Sequence, residues 1–106
     1  MPKLDYNRYA ILKKPDGSIE PMPFVDLPVN TSDKYIFWSS GSDRLDKLSQ
    51  KYYNNPFYDF LILYANNEYT NEFDIPDNAL IRIPFPLERA IYDYELILKN
   101  HMQQFI

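Results

Sequence analysis

Four acidic residues in one polar segment are the first candidates for chemistry: Glu68, Glu72, Asp74 and Asp77. A glycosidase needs two carboxylates at a fixed separation across a cleft, one of them desolvated, and a chain of 106 residues offers little room for such a cleft. A hand-type calcium loop needs alternating oxygen ligands around a central glycine, and this segment lacks that pattern. We therefore expect these four side chains to lie in a solvated loop.

Residues that commonly act as bases or nucleophiles are few. His101 is the only histidine, and no acid stands at ligand spacing from it. Ser39, Ser40 and Ser42 have no histidine in their segment and no nucleophile elbow around them, which favours turn and capping roles. The lack of cysteine excludes disulfides, thiolate metal sites and cysteine nucleophiles. We predict that the protein is not an enzyme, holds no metal and needs no cofactor.

Composition and charge narrow the classes of partner. The net charge of −4, from 15 acidic and 11 basic residues, gives no reason for the chain to approach nucleic acid or an anionic membrane. Hydrophobic residues make up 45% and aromatic residues 17% of the chain, so a packed core is expected with some rings left at the surface for a partner. Without a signal-peptide pattern or an apolar run of roughly 20 residues, we expect a soluble protein made in a cytoplasm.

The first 34 residues predict a strand, a turn and an extended arm. A mixed apolar pattern at residues 6–12 favours the strand, and Pro15 with Gly17 marks the turn after it. Prolines lacking an amide donor recur through residues 20–30, which favours an arm over a central strand. Such an arm packs either on its own domain or on a neighbouring subunit, and the sequence leaves both open.

Residues 35–84 predict a compact core. Residues 35–38 and 79–84 are short β-branched or aromatic runs typical of strands. Between them, apolar residues at helical spacing predict a helix at residues 43–53, capped by Ser42, and a second helix at residues 57–66. Two strands too short to be stable alone, separated by a helical hairpin, are expected to pair.

Residues 85–106 predict an amphipathic helix of about five turns. Its apolar residues recur every three or four positions, at Leu87, Ile91, Tyr94, Leu98, Met102 and Phe105. The small core does not need this helix to close. The apolar stripe therefore faces a partner or folds back on the N-terminal strand.

The residues at the element junctions follow an order that resembles the LysM family. That family has a strand, a Gly-Asp-Thr/Ser-Leu turn, a helix, a second helix ending Ala-Asn, and a strand ending Leu-x-Ile-Pro. The corresponding residues here are Gly41-Ser42-Asp43-Arg44-Leu45, Tyr52-Tyr53-Asn54, Ala65-Asn66, Ile75-Pro76-Asp77-Asn78 and Leu80-Ile81-Arg82-Ile83-Pro84. The likeness covers about half of the chain and implies a β-α-α-β core.

A closer resemblance is to the LysM-like tail and baseplate wedge proteins of phages. The residues that carry it are Asp43-Arg44-Leu45-Asp46, Tyr52-Tyr53 and Asn55-Pro56-Phe57. The resemblance implies an α+β structural protein of the virion, made in the host cytoplasm and built into a multi-subunit tail or baseplate assembly. It would dock to other tail proteins through the arm and the terminal helix.

The predicted docking residues are Pro21, Pro23, Phe24, Leu87, Ile91, Tyr94, Leu98, Met102 and Phe105. The alternative is a LysM module that binds glycans of the peptidoglycan or chitin type. The resemblance to sugar-binding LysM modules places their groove between the turn after the first strand and the loop before the last. The groove residues would be Gly41, Ser42, Asp43, Phe73 and Ile75, with Phe73 or Ile75 as an apolar ledge for an N-acetyl group.

Overall fold

The computed structural model describes residues 6–105, and Phe105 by its backbone only. Within that range the fold is small and α+β, with three α-helices and one two-stranded sheet, so the predicted class is confirmed. The elements are β1 (Lys34–Phe37), α1 (Leu45–Tyr53), α2 (Asp59–Ala65), β2 (Leu80–Ile83) and α3 (Leu87–Met102). None of the described helices has both the length and the apolar character that crossing a membrane requires.

The two strands pair antiparallel, as expected, with Lys34 opposite Ile83 and Phe37 opposite Leu80. The ladder continues one residue further, where the Trp38 amide donates to the Ala79 carbonyl at 2.8 Å. Because side chains alternate along a strand, Ile81 and Ile83 share the inner face of β2, and both are buried in the core. The apolar side chains on the outer face of the sheet, those of Tyr35, Phe37 and Leu80, are exposed.

The helical hairpin packs against the inner face. α1 begins at Leu45, two residues later than expected, and the predicted cap at Ser42 is wrong. The hydroxyl of Ser42 instead donates to the Ser39 hydroxyl at 3.0 Å. Asn54 ends α1 in the left-handed conformation, with φ of 56°, which asparagine tolerates better than most residues. A 3-10 turn at Pro56–Tyr58 then leads directly into α2.

The N-terminal segment is not the predicted strand. It contains a short 3-10 turn at Ala10–Leu12, and its strand-like pairing is limited to one bridge between Lys13 and Ile19, closed by a turn in which Gly17 has a φ of 92°. The segment packs on α3, not on a sheet edge. Leu12 is fully buried there, and the carbonyl of Arg8 accepts a hydrogen bond from a helix side chain.

The apolar stripe of α3 faces its own domain, which corrects the docking assignment for four of its residues. Leu87, Tyr94, Leu98 and Met102 are buried, and both the 3-10 turn Ala10–Leu12 and α2 pack on this helix. Ile91 is half-buried, and the side chain of Phe105 lies outside the described residues. Of the two alternatives for this helix, the structure therefore has it folded back on the N-terminal segment.

The arm also lies on its own domain. Val25 and Leu27 are buried, and the Arg82 guanidinium donates to the carbonyl of Leu27 at 2.7 Å. Phe24 points the other way and is 76% exposed. Of the two prolines predicted to dock, Pro21 is exposed and Pro23 is half-buried. One side of the arm is thus used by the fold and the other is left at the surface.

Candidate functional site

The five residues predicted to form a sugar groove come together in the structure. Gly41, Ser42 and Asp43, in the loop after β1, and Phe73 and Ile75, in the loop before β2, line one groove of about 560 Å³. Trp38 and Glu72 lie at the same groove and add an apolar wall and a carboxylate.

The two candidates for the apolar ledge differ sharply in exposure. Phe73 is 90% exposed, at a 3-10 turn spanning Glu72–Asp74. Ile75 is buried and belongs to the core beneath the groove. Of these two residues, only Phe73 is therefore accessible to a ligand.

Carboxylates hold the two loops together. Glu72 accepts a hydrogen bond from the Leu45 amide at 2.9 Å, and so satisfies one of the free donors at the start of α1. Asp77 accepts from the Ser40 amide at 3.1 Å. The loop was expected to be merely solvated, but at least these two acids are structural acceptors that fix the groove.

A third acid of this segment bonds locally. Asp74 accepts a hydrogen bond from the hydroxyl of Thr70 within the loop. On the opposite wall, Asp43 accepts from the Ser39 amide at 2.8 Å and shapes the turn after β1. These bonds use carboxylate oxygens that a sugar hydroxyl or a cation would otherwise need.

A second groove, of about 730 Å³, lies on the other side of Phe73 and was missed by the sequence analysis. Rings from the N-terminal segment, the helical hairpin and the loop before β2 line it, at Tyr6, Tyr9, Phe57, Phe60 and Phe73. The Arg8 guanidinium stacks within it, 4.9 Å from the ring centre of Tyr9 and 5.2 Å from that of Phe60. The packing of residues 6–9 against the hairpin creates this groove. The spacing of apolar residues along the sequence does not predict that contact.

Two carboxylates, Asp59 and Glu72, line this second groove. Asp59 opens α2 and is half-buried, and that burial raises the pKa of its carboxyl above its usual value of 3.8. Arg8 opposes the shift through its positive charge. The groove is therefore mainly apolar, with two acids, Asp59 and Glu72, and one cation, Arg8, at its walls.

The outer face of the sheet carries a cluster of apolar side chains, which we call the sheet patch: Tyr35, Phe37 and Leu80. They are 52%, 71% and 55% exposed, respectively. Phe37 and Leu80 are direct cross-strand partners, and Tyr35 lies two residues along the same face. Exposed apolar residues in contact with one another favour a protein interface more than scattered ones do.

The single histidine is part of an interaction between α3 and the arm. His101 Nε2 lies 3.0 Å from the Glu20 carboxylate, and Lys14 Nζ lies 3.1 Å from the other oxygen of the same group. The hydrogen bond to His101 is the largest cause that holds the pKa of the Glu20 carboxyl below its usual value of 4.5. Among the residues that the structure describes, no three or more His, Cys, Asp or Glu side chains form a group that could hold a metal ion.

Comparisons with protein-family models, with curated proteins and with solved structures found no match to this chain. The likeness to the LysM family therefore depends on the residues quoted for it and on the order of the elements. What the protein does has to be argued from its grooves and from its exposed apolar surfaces.

Proposed function

We propose that this protein is a LysM-like assembly component of a phage tail or baseplate that docks to neighbouring tail proteins. The sequence resemblance supports it, and the order of strand, two helices and strand is compatible with it. The observation that carries the docking role is the exposure of large apolar side chains on the arm and on the sheet. Such side chains lose unfavourable contact with water when a partner covers them.

The proposed docking surface differs from the one predicted from the sequence. The arm keeps its place in it through Phe24, and Val29, near the end of the arm, is exposed as well. The docking surface no longer includes the buried residues of α3, and it now includes the sheet patch. The compact core then holds the arm and the sheet patch at a fixed distance from each other.

The test is mass spectrometry of purified virions and tail subassemblies, combined with lysine cross-linking. Lys34 opens β1 beside the sheet patch, whereas Lys99 is an exposed residue near the end of α3. We expect the protein at stoichiometric levels, with cross-links to tail proteins from Lys34 exceeding those from Lys99. Absence of the protein from particles would exclude the assembly role.

A glycan-binding LysM module is the second candidate, and one observation favours it. All five residues predicted for the sugar groove line one groove, with the ring of Phe73 exposed at its wall. Against it, four charged side chains line the same groove, Asp43, Arg44, Lys47 and Glu72, and each of the two carboxylates already accepts a backbone hydrogen bond.

Calorimetric titration with chitin and peptidoglycan oligosaccharides separates the two candidates. The assembly role predicts no heat of binding for either sugar. Saturable binding that Phe73→Ala removes, but that Phe24→Ala leaves intact, would move the glycan role to first place. Both rings are highly exposed, so neither change should disturb the fold.

A further inference from the structure

Within residues 6–105, β1 pairs with a strand on one side only, where it lies beside β2. Its pairing with β2 fixes which peptide groups point outward. Trp38 donates its amide to Ala79, so this pair is hydrogen-bonded, and bonded pairs alternate with non-bonded pairs along an antiparallel ladder. The pairs of Phe37 with Leu80 and of Tyr35 with Arg82 are therefore non-bonded. The amides and carbonyls of Tyr35 and Phe37 consequently point away from β2.

The outer edge of β2 also has peptide groups that point away from the sheet. Arg82, across from Tyr35, also directs its amide and carbonyl outward, and the side chain of Asn66 binds both. Asn66 Oδ1 accepts from the Arg82 amide at 3.0 Å, and Nδ2 donates to the Arg82 carbonyl at 2.8 Å. A side-chain amide thus takes the place of a third strand on the β2 edge.

The β1 edge has no such cover. Within residues 6–105, no hydrogen bond engages the outward amides and carbonyls of Tyr35 and Phe37. None of the four residues of β1 is buried. Proteins usually protect an exposed edge with proline, a bulge or charged side chains, lysine above all. β1 carries one such charge, Lys34, at its first residue, and none at Tyr35, Ile36 or Phe37.

The sheet patch adjoins this open edge. Tyr35 and Phe37 therefore present outward peptide groups and exposed rings at the same place. A strand added beside β1 would set every second side chain against those rings, because side chains alternate between the faces of a sheet. A partner that fits this surface therefore has an extended backbone with apolar or aromatic residues at alternate positions.

From this geometry we infer that the free edge of β1 binds an extended segment of a neighbouring subunit as a third strand. Four main-chain hydrogen bonds, two to Tyr35 and two to Phe37, would supply the affinity, and the rings would select apolar side chains. The inference rests on the proposed docking role only for the identity of the subunit that supplies the segment.

A second copy of the chain fits this edge less well. The exposed parts of Tyr35, Phe37 and Leu80 together offer on the order of 400 Å² per partner, about half of what a stable dimer covers. A single strand depends less on area, because its main-chain bonds contribute to affinity. Within an assembly, its effective concentration is also raised by the subunit that carries it.

The probe is a capped six-residue peptide of alternating valine and threonine, titrated into the isotope-labelled protein. Amide hydrogen exchange and chemical shifts report the binding site by NMR. We expect exchange to slow at Tyr35 and Phe37, whose amides bond to none of residues 6–105, with little change at Ile36, whose amide is already bonded to β2. Unchanged exchange at both residues in millimolar peptide, or peptide effects confined to the groove at Phe73, would overturn the inference.

Point variants separate edge pairing from contact with the apolar face. Tyr35→Pro removes an outward donor together with the ring, whereas Tyr35→Ala removes the ring alone, and both leave the ladder to β2 intact. We therefore expect peptide affinity to fall roughly tenfold or more further in Tyr35→Pro than in Tyr35→Ala. Leu80→Lys alters the same face but not the β1 backbone, so the loss should be smaller. Phe37→Pro repeats the test if Tyr35→Pro unfolds, and circular dichroism checks the fold of each variant. A larger loss for Leu80→Lys than for either proline variant would overturn edge pairing.

Sedimentation of the protein without peptide tests the occupant. A monomer is expected across the micromolar range. A dimer that Tyr35→Pro dissociates would assign the edge to a second copy and overturn the inferred occupant. The peptide result does not depend on where the protein resides, so absence from virions would remove the proposed function while leaving the edge inference to stand or fall alone.

Discussion

Asp33 and Arg82 form an ion pair of 2.8 Å between the residue before β1 and the middle of β2. Asp33 is buried, and it also accepts from the amides of Asn30 and Phe85, each at 3.0 Å. Arg82 extends the same network to the arm through the Leu27 carbonyl. One pair of charges thus joins the arm, the sheet and the start of α3.

Removing one member of this pair should strongly destabilise the fold. Arg82→Ala leaves a buried carboxylate without its cation, and we expect the free energy of unfolding to fall by about 3 kcal/mol or more in urea denaturation. Arg44→Ala is the matched control. Arg44 pairs with Asp46 at 3.2 Å, with both side chains exposed, and its loss should cost less than about 1 kcal/mol. Equal losses would contradict the structural role of the buried pair.

The inward stripe of α3 gives a second prediction. Leu98→Ala should lower the free energy of unfolding by about 2–5 kcal/mol, because the side chain is fully buried and its removal leaves a cavity. Leu96→Ala, two residues earlier and exposed, should change it by about 0.5 kcal/mol or less. Thermal and urea unfolding measure both. Similar small effects would mean that the stripe is free for a partner after all.

The loop acid Glu72 should stabilise α1. Its carboxylate accepts from the Leu45 amide in the first turn of that helix, and losing such a cap costs about 1 kcal/mol. We therefore expect Glu72→Ala to lower the urea midpoint and to speed amide exchange at Leu45. Glu68→Ala, at an exposed position of the same segment, is the control and should leave both unchanged.

The pair between His101 and Glu20 predicts a titration result. Because the hydrogen bond to His101 is the main cause of the lowered pKa of Glu20, His101→Ala should move that pKa up toward 4.5 in a carboxyl NMR titration. Lys14 still lowers the pKa, so the shift should not be complete. Asp16 is the control, since its pKa is lowered chiefly by hydrogen bonds from Ser18 and should stay where it is.

The sign of the linked stability follows from the direction of that shift. A carboxyl whose pKa is lower in the folded state stabilises the fold above its unfolded value, here 4.5, and loses that contribution as the pH falls through the folded value. The difference in unfolding free energy between the unaltered protein and Glu20→Gln should therefore be present at neutral pH and shrink in acid. A difference that grew on acidification would contradict the assignment.

The order of the core elements could be predicted from sequence because the signals are local. Hydrophobic periodicity and the turn at Asn54 identified the helical hairpin to within a few residues, and β-branched runs located β1 and β2. The pairing of two strands too short to stand alone followed from the need to cover the apolar face of the hairpin. The five residues that the resemblance to sugar-binding LysM modules assigned to one groove line a common groove in the structure.

Tertiary contacts decided the rest. An apolar stripe on α3 shows that something covers it, but only the fold shows that Leu12 and its neighbours do so and that a partner does not. The apolar pattern at residues 6–12 resembled a strand, yet this segment packs on α3 and pairs with neither strand of the sheet. The cap on α1 comes from Glu72, far along the chain from Leu45.

The sequence by itself determined which segments are helical or extended, since backbone preference and side-chain periodicity act over a few residues. Only the tertiary structure decided which apolar faces are shared within the chain and which remain at the surface. The reason is physical: burial depends on which surfaces meet, and residues distant in sequence supply them. The open edge of β1 is likewise visible only in the tertiary structure, because it depends on which of residues 6–105 lie beside that strand.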